Sequence, residues 1–195
     1  ENDTDVGLGE TRRVTSVSNP TENYGTAVLD PVTARVTYST GSGFDYLAHN
    51  EQASETFSYT VEDRFNGTDQ GNVVVTVTGV NDAPEAVDDV QYISEDSSKT
   101  FDPTLNDRDV DNGDVLHLAS AELDSGARGE IEILANGQIH YDSSNKFDEL
   151  PQGSSATESL TYSVSDQMGY QSVGTVDIVI TGVNDAPVSS RDILT

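Results

Sequence analysis

Cysteine and tryptophan are both absent from the 195-residue chain, and lysine and arginine together number nine against 35 aspartates and glutamates. Without cysteine there is no disulfide scaffold and no thiolate-ligated zinc or iron–sulfur site. With a formal net charge of −26, the chain is repelled by polyanions and lacks the cations that phosphate contacts need, which excludes nucleic-acid binding. No run approaches the roughly 18 apolar residues of a membrane-spanning helix, and no charged-then-apolar leader opens the sequence. What is present is acid, threonine, valine and eight tyrosines, with 34% apolar residues overall. So acidic a chain is either disordered or neutralised by cations.

The chain repeats itself. Thr78-Gly79-Val80-Asn81-Asp82-Ala83-Pro84 recurs as Thr181-Gly182-Val183-Asn184-Asp185-Ala186-Pro187, 103 positions later (81 to 184). Phe57-Ser58-Tyr59-Thr60-Val61 answers to Leu160-Thr161-Tyr162-Ser163-Val164, Phe44-Asp45 to Phe147-Asp148, and Tyr38 to Tyr141. Asn2-Asp3-Thr4-Asp5-Val6 answers to Asn106-Asp107-Arg108-Asp109-Val110, one position further apart. A period this long is a whole small domain rather than a solenoid unit. The expected organisation is a first repeat over 1–84 that lacks its opening strand, a complete second repeat over 85–187, and the start of a third over 188–195. The cut falls inside repeats, so the natural protein is expected to continue in both directions.

Alternation of period two marks strands. Val73/Val75/Val77, Val176/Ile178/Ile180, Phe57/Tyr59/Val61, Leu160/Tyr162/Val164, Ile131/Ile133 and Ile139/Tyr141 each place apolar groups on one face. Asn136-Gly137 predicts a two-residue hairpin turn with both residues at positive φ. No helical period of useful length occurs. About seven short strands per repeat point to an all-β fold, two tandem immunoglobulin-like β-sandwiches. Each core is small, so ions or neighbours are expected to assist it.

The sharpest chemical feature is Asn106-Asp107-Arg108-Asp109-Val110-Asp111-Asn112-Gly113-Asp114. Carboxylates at every second position, Asp107, Asp109 and Asp111, followed by Gly113 and Asp114, can wrap oxygens around a hard cation. Calcium suits them because it accepts six to eight oxygen ligands in loose geometry. Two carboxylates about 5 Å apart repel by roughly 3 kcal/mol at an effective dielectric near 20, so the folded loop needs a counterion. The bland alternative is a solvated turn whose Asx side chains cap their own backbone. The spacing differs from the helix–loop–helix calcium pattern, since Gly comes one place late and no Glu closes the loop. In the first repeat Gly7 stands at the place of Asp111 and Glu10 at that of Asp114, which predicts weaker binding. At each repeat boundary Val-Asn-Asp-Ala-Pro combines side-chain oxygens with a stiffening proline, a polar linker that can also ligate.

Together, Ser94-Glu95-Asp96-Ser97-Ser98-Lys99-Thr100, the Asp109/Asp111 loop, Leu160-x-Tyr162-x-Val164-x-Asp166 and the endings in Val-Asn-Asp-Ala-Pro resemble cadherin-like repeats. More closely, they resemble the tandem repeats of large bacterial repeats-in-toxin surface adhesins. The resemblance covers nearly the whole chain. It implies calcium between successive domains, with Glu55, Asn81 and Asp82 joined by Asp109, Asp111 and Asp166 at the first junction. For the junction after the second repeat it implies Glu95, Glu158, Asn184 and Asp185, and it gives Asp5 and Asp63 the upper positions of the first repeat. Gly79, Gly182, Ala83 and Ala186 stand where the cadherin linker has further polar ligands.

Other chemistry is weakly signalled. His49, His117 and His140 have no ligand spacing, no nucleophile signature accompanies any serine, and no aromatic-lined cleft is evident for paired acids, so no enzyme is expected. Asn66-Gly67-Thr68 reads as a turn more readily than as a glycosylation acceptor. The resemblance implies a calcium-rigidified spacer of a secreted bacterial surface adhesin, serving cell adhesion or biofilm formation. Its partners would be calcium and adjacent repeats, without nucleic acid or membrane insertion. The rival is a module that itself binds carbohydrate or another copy, although few aromatics are expected at the surface. A lost opening strand and a surplus tail over 188–195 also predict head-to-tail strand exchange between copies.

Overall fold

The computed structural model describes residues 11–143 and 145–186, and in these every regular element is a strand. Proximity along the backbone divides the chain into two compact units. One comprises Glu1–Asp82 with Val110–Gly113, and the other Ala83–Asp109 with Asp114–Thr195.

The first unit carries β1 (Arg13–Val17), β2 (Thr26–Asp30), β3 (Arg35–Ser39), β4 (Gln52–Glu62) and β5 (Thr68–Thr78). They form a three-stranded sheet in the order β1-β4-β5 and a β2-β3 ribbon. Ala27, Phe44, Leu47 and Phe57 are its buried apolar side chains. The Tyr38 and Phe57 rings lie nearly parallel with centroids 6.2 Å apart, which ties the ribbon to the larger sheet.

The second unit carries seven strands: β6 (Asp89–Ser94), β7 (Ser98–Phe101), β8 (His117–Leu123), β9 (Glu130–Ile133), β10 (Ile139–Asp142), β11 (Ser155–Ser165) and β12 (Gln171–Thr181). One sheet runs β6-β12-β11-β8 and the other β7-β10-β9, and only the β6–β12 pair is parallel. Their inner faces share one core, in which Ile139, Tyr141 and Phe101 from the smaller sheet meet Leu160, Tyr162, Val164, Val176, Ile178 and Ile180 from the larger. Burying each such aliphatic side chain contributes about 1.5–3 kcal/mol. This is the sandwich that alternation predicts, with the two long hairpin strands of each repeat equal in length.

Two local expectations differ. Of Asn136 and Gly137 only the glycine is left-handed, φ 82°. Gly137 N–H donates to Leu134 O and Leu134 N–H to Gln138 O, so Ala135-Asn136-Gly137 is a three-residue loop. Asn136 Oδ1 accepts from Gln138 N–H, which satisfies the loop without a second positive φ. The second difference concerns aromatics. Tyr24, Phe65, Tyr92 and Tyr170 are exposed: Tyr92 lies on the outer face of β6, and the other three lie in loops between strands.

Candidate metal centre

Asp109, Asp111 and Asp114 lie on the loop between β7 and β8, and one carboxylate oxygen of each falls within 4.8 Å of the others. The chain bends at Val110 and Asp111 and turns at Asn112-Gly113, with Gly113 at φ 84°, so that the side chains of Asp109, Asp111 and Asp114 come together. Asp111 is buried, only 4% exposed. Asp114 is held above the usual carboxylate range, first by burial and then by the negative charges of Asp109 and Asp166. Its Oδ2 is buried and has no hydrogen-bond partner. Asp166, 1% exposed, caps its own turn, with Oδ1 accepting from Met168 N–H at 2.9 Å and Tyr170 N–H at 2.8 Å. The donor set is therefore all carboxylate oxygen, which fits a hard cation such as calcium and not a soft one.

Within the first unit Asp82 N–H donates to Asp111 Oδ2 at 2.7 Å, and Asn112 N–H donates to Tyr46 O at 2.9 Å. Asn81 is buried and its side-chain amide donates to Asp82 O. Asn184 repeats that bond to Asp185 O at 3.1 Å, with both residues exposed. Asp63 copies the turn-capping role of Asp166, since its Oδ1 accepts from Phe65 N–H at 2.7 Å and Gly67 N–H at 2.8 Å. Asp5 lies outside the described residues.

The buried glutamates divide by how many of their lone pairs are engaged. Glu158 on β11 receives three donors, namely Arg128 N–H, Gly129 N–H and the Tyr141 hydroxyl at 2.8 Å. Glu55, its repeat-mate on β4, receives Gly25 N–H and the Tyr38 hydroxyl on Oε1, while Oε2 is buried and without a partner. Glu95, fully buried, accepts Val183 N–H at 2.7 Å on Oε1 and likewise leaves Oε2 bare.

Asp107 stands apart from the Asp109/Asp111/Asp114 group. Its Oδ1 accepts from Val87 N–H at 2.7 Å and from the Tyr162 hydroxyl at 2.8 Å, a core-locking role, and its Oδ2 is buried without a partner. Burial pushes the Tyr162 hydroxyl up, and the Asp107 carboxylate adds to the shift.

Two acidic features escaped the reading by spacing. Asp89 is raised above the usual range by burial and then by Asp107, Asp102 and its neighbour Asp88, the first two of them brought in from the far side of β7. Asp45 and Asp82 line one shallow cavity of about 170 Å³ in the first unit, where the Phe44-Asp45 repeat landmark was the only available signal.

Residues 81–182 match the bacterial cadherin-like domain, and residues 1–76 match the bacterial Ig domain. No curated protein matches the chain in sequence. Among solved structures, Drosophila N-cadherin EC1-4 is 17% identical at a TM-score of 0.49, with 94% of this chain aligned to 44% of that one. Mouse cadherin-23 EC22-24 is 17% identical at a TM-score of 0.48, over 93% of this chain and 56% of that one. Human mucin-like protocadherin EC1-2 is 15% identical at a TM-score of 0.47, over 92% and 87% respectively. The chain thus spans less than half the length of the first of these.

Proposed function

The chain belongs to the bacterial cadherin-like domain family, and on that footing we propose that it is a calcium-stiffened spacer segment of a large bacterial cell-surface adhesin of the repeats-in-toxin type. Cadherin-like and immunoglobulin-like domains are structural adhesion modules, typical of adhesion and extender regions and typically extracellular, rather than enzymes. Among the described residues no helix is long and apolar enough to cross a membrane.

The observation that carries the reading is the convergence of Asp109, Asp111 and Asp114 oxygens within 4.8 Å in a chain of net charge −26. Bound calcium would supply the positive charge that cancels their mutual repulsion. Asp166 lends a fourth carboxylate while its turn bonds keep it oriented. Asp111 also accepts from Asp82 N–H, which orients its carboxylate. Each within its own repeat, Glu55 and Glu95 keep one bare buried oxygen and are better suited than Glu158 to ligate an ion. Repeats stiffened in this way hold a distal binding domain away from the cell, for adhesion or biofilm formation. Extracellular calcium modules commonly bind at about 10⁻⁴ to 10⁻³ M, so the sites are empty in the cytosol and fill after export.

Isothermal titration of the whole chain tests this. Calcium binding in that concentration range is expected, with magnesium much weaker. Asp114→Asn should weaken calcium by at least about tenfold, as loss of even an outer partner commonly does. Equal affinity for the two cations, or an unchanged isotherm in the variant, overturns the assignment.

A further inference from the structure

The tail over 188–195, and with it the strand exchange expected between copies, lies outside the described residues, whereas every Asn-Gly pair of the chain lies within them. There are three, Asn66-Gly67, Asn112-Gly113 and Asn136-Gly137, and in each the asparagine is exposed. This dipeptide carries its own chemistry. The glycine amide nitrogen can close a five-membered ring on the asparagine Cγ, and glycine has no Cβ to hinder the approach. Closure needs that nitrogen and that carboxamide both free to move. Since exposure does not separate the three pairs, their hydrogen bonds decide which one reacts.

Two of the three are tied down. Gly67 N–H donates to Asp63 Oδ1 at 2.8 Å, and Asn66, at φ 67°, is fixed in the turn that this carboxylate caps. Gly137 N–H donates to Leu134 O at 2.9 Å. The Asn136 carboxamide is held at both ends, accepting from Gln138 N–H at 3.1 Å and donating to Gln138 Oε1 at 2.8 Å. Asn112-Gly113 differs. Asn112 N–H donates to Tyr46 O at 2.9 Å, a bond that leaves both reacting groups untouched. Among the described residues, neither the Gly113 N–H nor the Asn112 carboxamide has a hydrogen-bond partner. Both residues are exposed, and nothing lies within 4 Å of the place a Gly113 Cβ would take, so water reaches the pair.

We propose that Asn112 is a site of covalent self-modification, deamidating through a succinimide within the acidic loop. The deprotonated Gly113 nitrogen attacks Asn112 Cγ. The new N–Cγ bond forms, the Cγ–Nδ2 bond breaks, and ammonia leaves carrying the proton. Water then opens the ring at one of its two carbonyls, so that the net change is water in and ammonia out. Opening at Cγ leaves aspartate. Opening at the main-chain carbonyl leaves isoaspartate, whose backbone runs through Cβ and Cγ. Either product adds a negative charge between Asp111 and Asp114, and isoaspartate also lengthens the backbone between them by one carbon. The tight turn at Asn112-Gly113 is what brings Asp109, Asp111 and Asp114 together, so the longer product disperses them. What that does to cation binding rests on the calcium reading, but the reaction itself does not.

Neighbouring carboxylates disfavour the amide anion, but Asp111 and Asp114 stay beside the pair when the chain unfolds, so each site is best compared with itself in denaturant. Peptide mapping of the whole chain, aged in mildly alkaline buffer with chelator and again in denaturant, makes that comparison. For each asparagine the rate in the folded chain is divided by its own rate in denaturant. The ratio at Asn112 should exceed those at Asn66 and Asn136 by about tenfold, one hydrogen bond's share of the barrier. Isoaspartyl methyltransferase should label the aged parent chain at residue 112 and label aged Asn112→Ser far less. A ratio at Asn112 no greater than the other two, or labelling undiminished in Asn112→Ser, overturns the proposal.

Discussion

Glu55 and Glu158 are carboxylates sunk into β-sandwich cores, where an unsatisfied charge would cost several kcal/mol. Each is held by a tyrosine hydroxyl and by backbone amides at a glycine close enough to that tyrosine to exclude any side chain. Tyr141→Phe removes one of three donors from Glu158 and should cost about 1–3 kcal/mol of stability in a denaturant titration. Burial first, and then Glu55, pushes the Tyr38 hydroxyl up to about 12. A tyrosine ordinarily ionises near pH 10. The folded state therefore keeps a proton that the unfolded state loses, and its stabilisation is complete below about pH 10 and fades as pH rises through about 12. Melting temperature should fall over that window, earlier than ultraviolet titration shows Tyr38 ionising in the folded protein, and Tyr38→Phe should flatten the decline. A flat profile in the parent chain would contradict it. The carboxylates of the 109–114 loop were legible in sequence because their alternate spacing is local. The Glu55–Tyr38 and Glu158–Tyr141 pairs were not legible as pairs, since neither residue announces its partner.

At the scale of elements, tyrosine and glycine meet across the long hairpins. Tyr162 stands opposite Gly174 on β11 and β12, and Tyr59 opposite Gly71 on β4 and β5. A Cβ on Gly174 would lie 2.6 Å from the Tyr162 ring, and one on Gly71 2.5 Å from that of Tyr59. Gly174→Ala should thus destabilise by about 1–3 kcal/mol through overpacking, read as a shift in denaturation midpoint, while neutrality would mean that the ring has room to move. Strand existence and facing were readable because apolar alternation is enforced by the core itself. The hairpin at Asn136-Gly137 was readable as a turn but not as its type, which depends on whether Asn136 Oδ1 caps Gln138. Ile133 alternates with Ile131 yet is exposed, because β9 is the edge strand of a three-stranded sheet and its end runs past the core.

For the whole molecule, charge and repetition set the terms. A charge of −26 spread over two small units is self-repelling, and only nine basic residues are there to offset the 35 acidic ones. Those that do, such as Arg108 with Glu85 and Arg13 with Glu62, form exposed ion pairs of little energetic value. Stability should therefore depend on divalent cation. Melting temperature is expected to rise with millimolar calcium well beyond the rise with equal magnesium, and to fall in chelator. The repeat and its length were legible from the recurring Thr-Gly-Val-Asn-Asp-Ala-Pro phrase alone. The grouping of Val110–Gly113 with the first unit was not, since it depends on contacts made by Asp82 and Tyr46 rather than on chain order.

The central claim is that cation held by the acidic loop stiffens the repeats, and small-angle scattering of the dilute chain tests it most directly. In calcium the distance distribution should lengthen and sharpen relative to chelator, with Asp114→Asn responding only at higher calcium and magnesium having little effect. Superimposable curves in calcium and chelator, at concentrations where titration has established that the sites are filled, would contradict it.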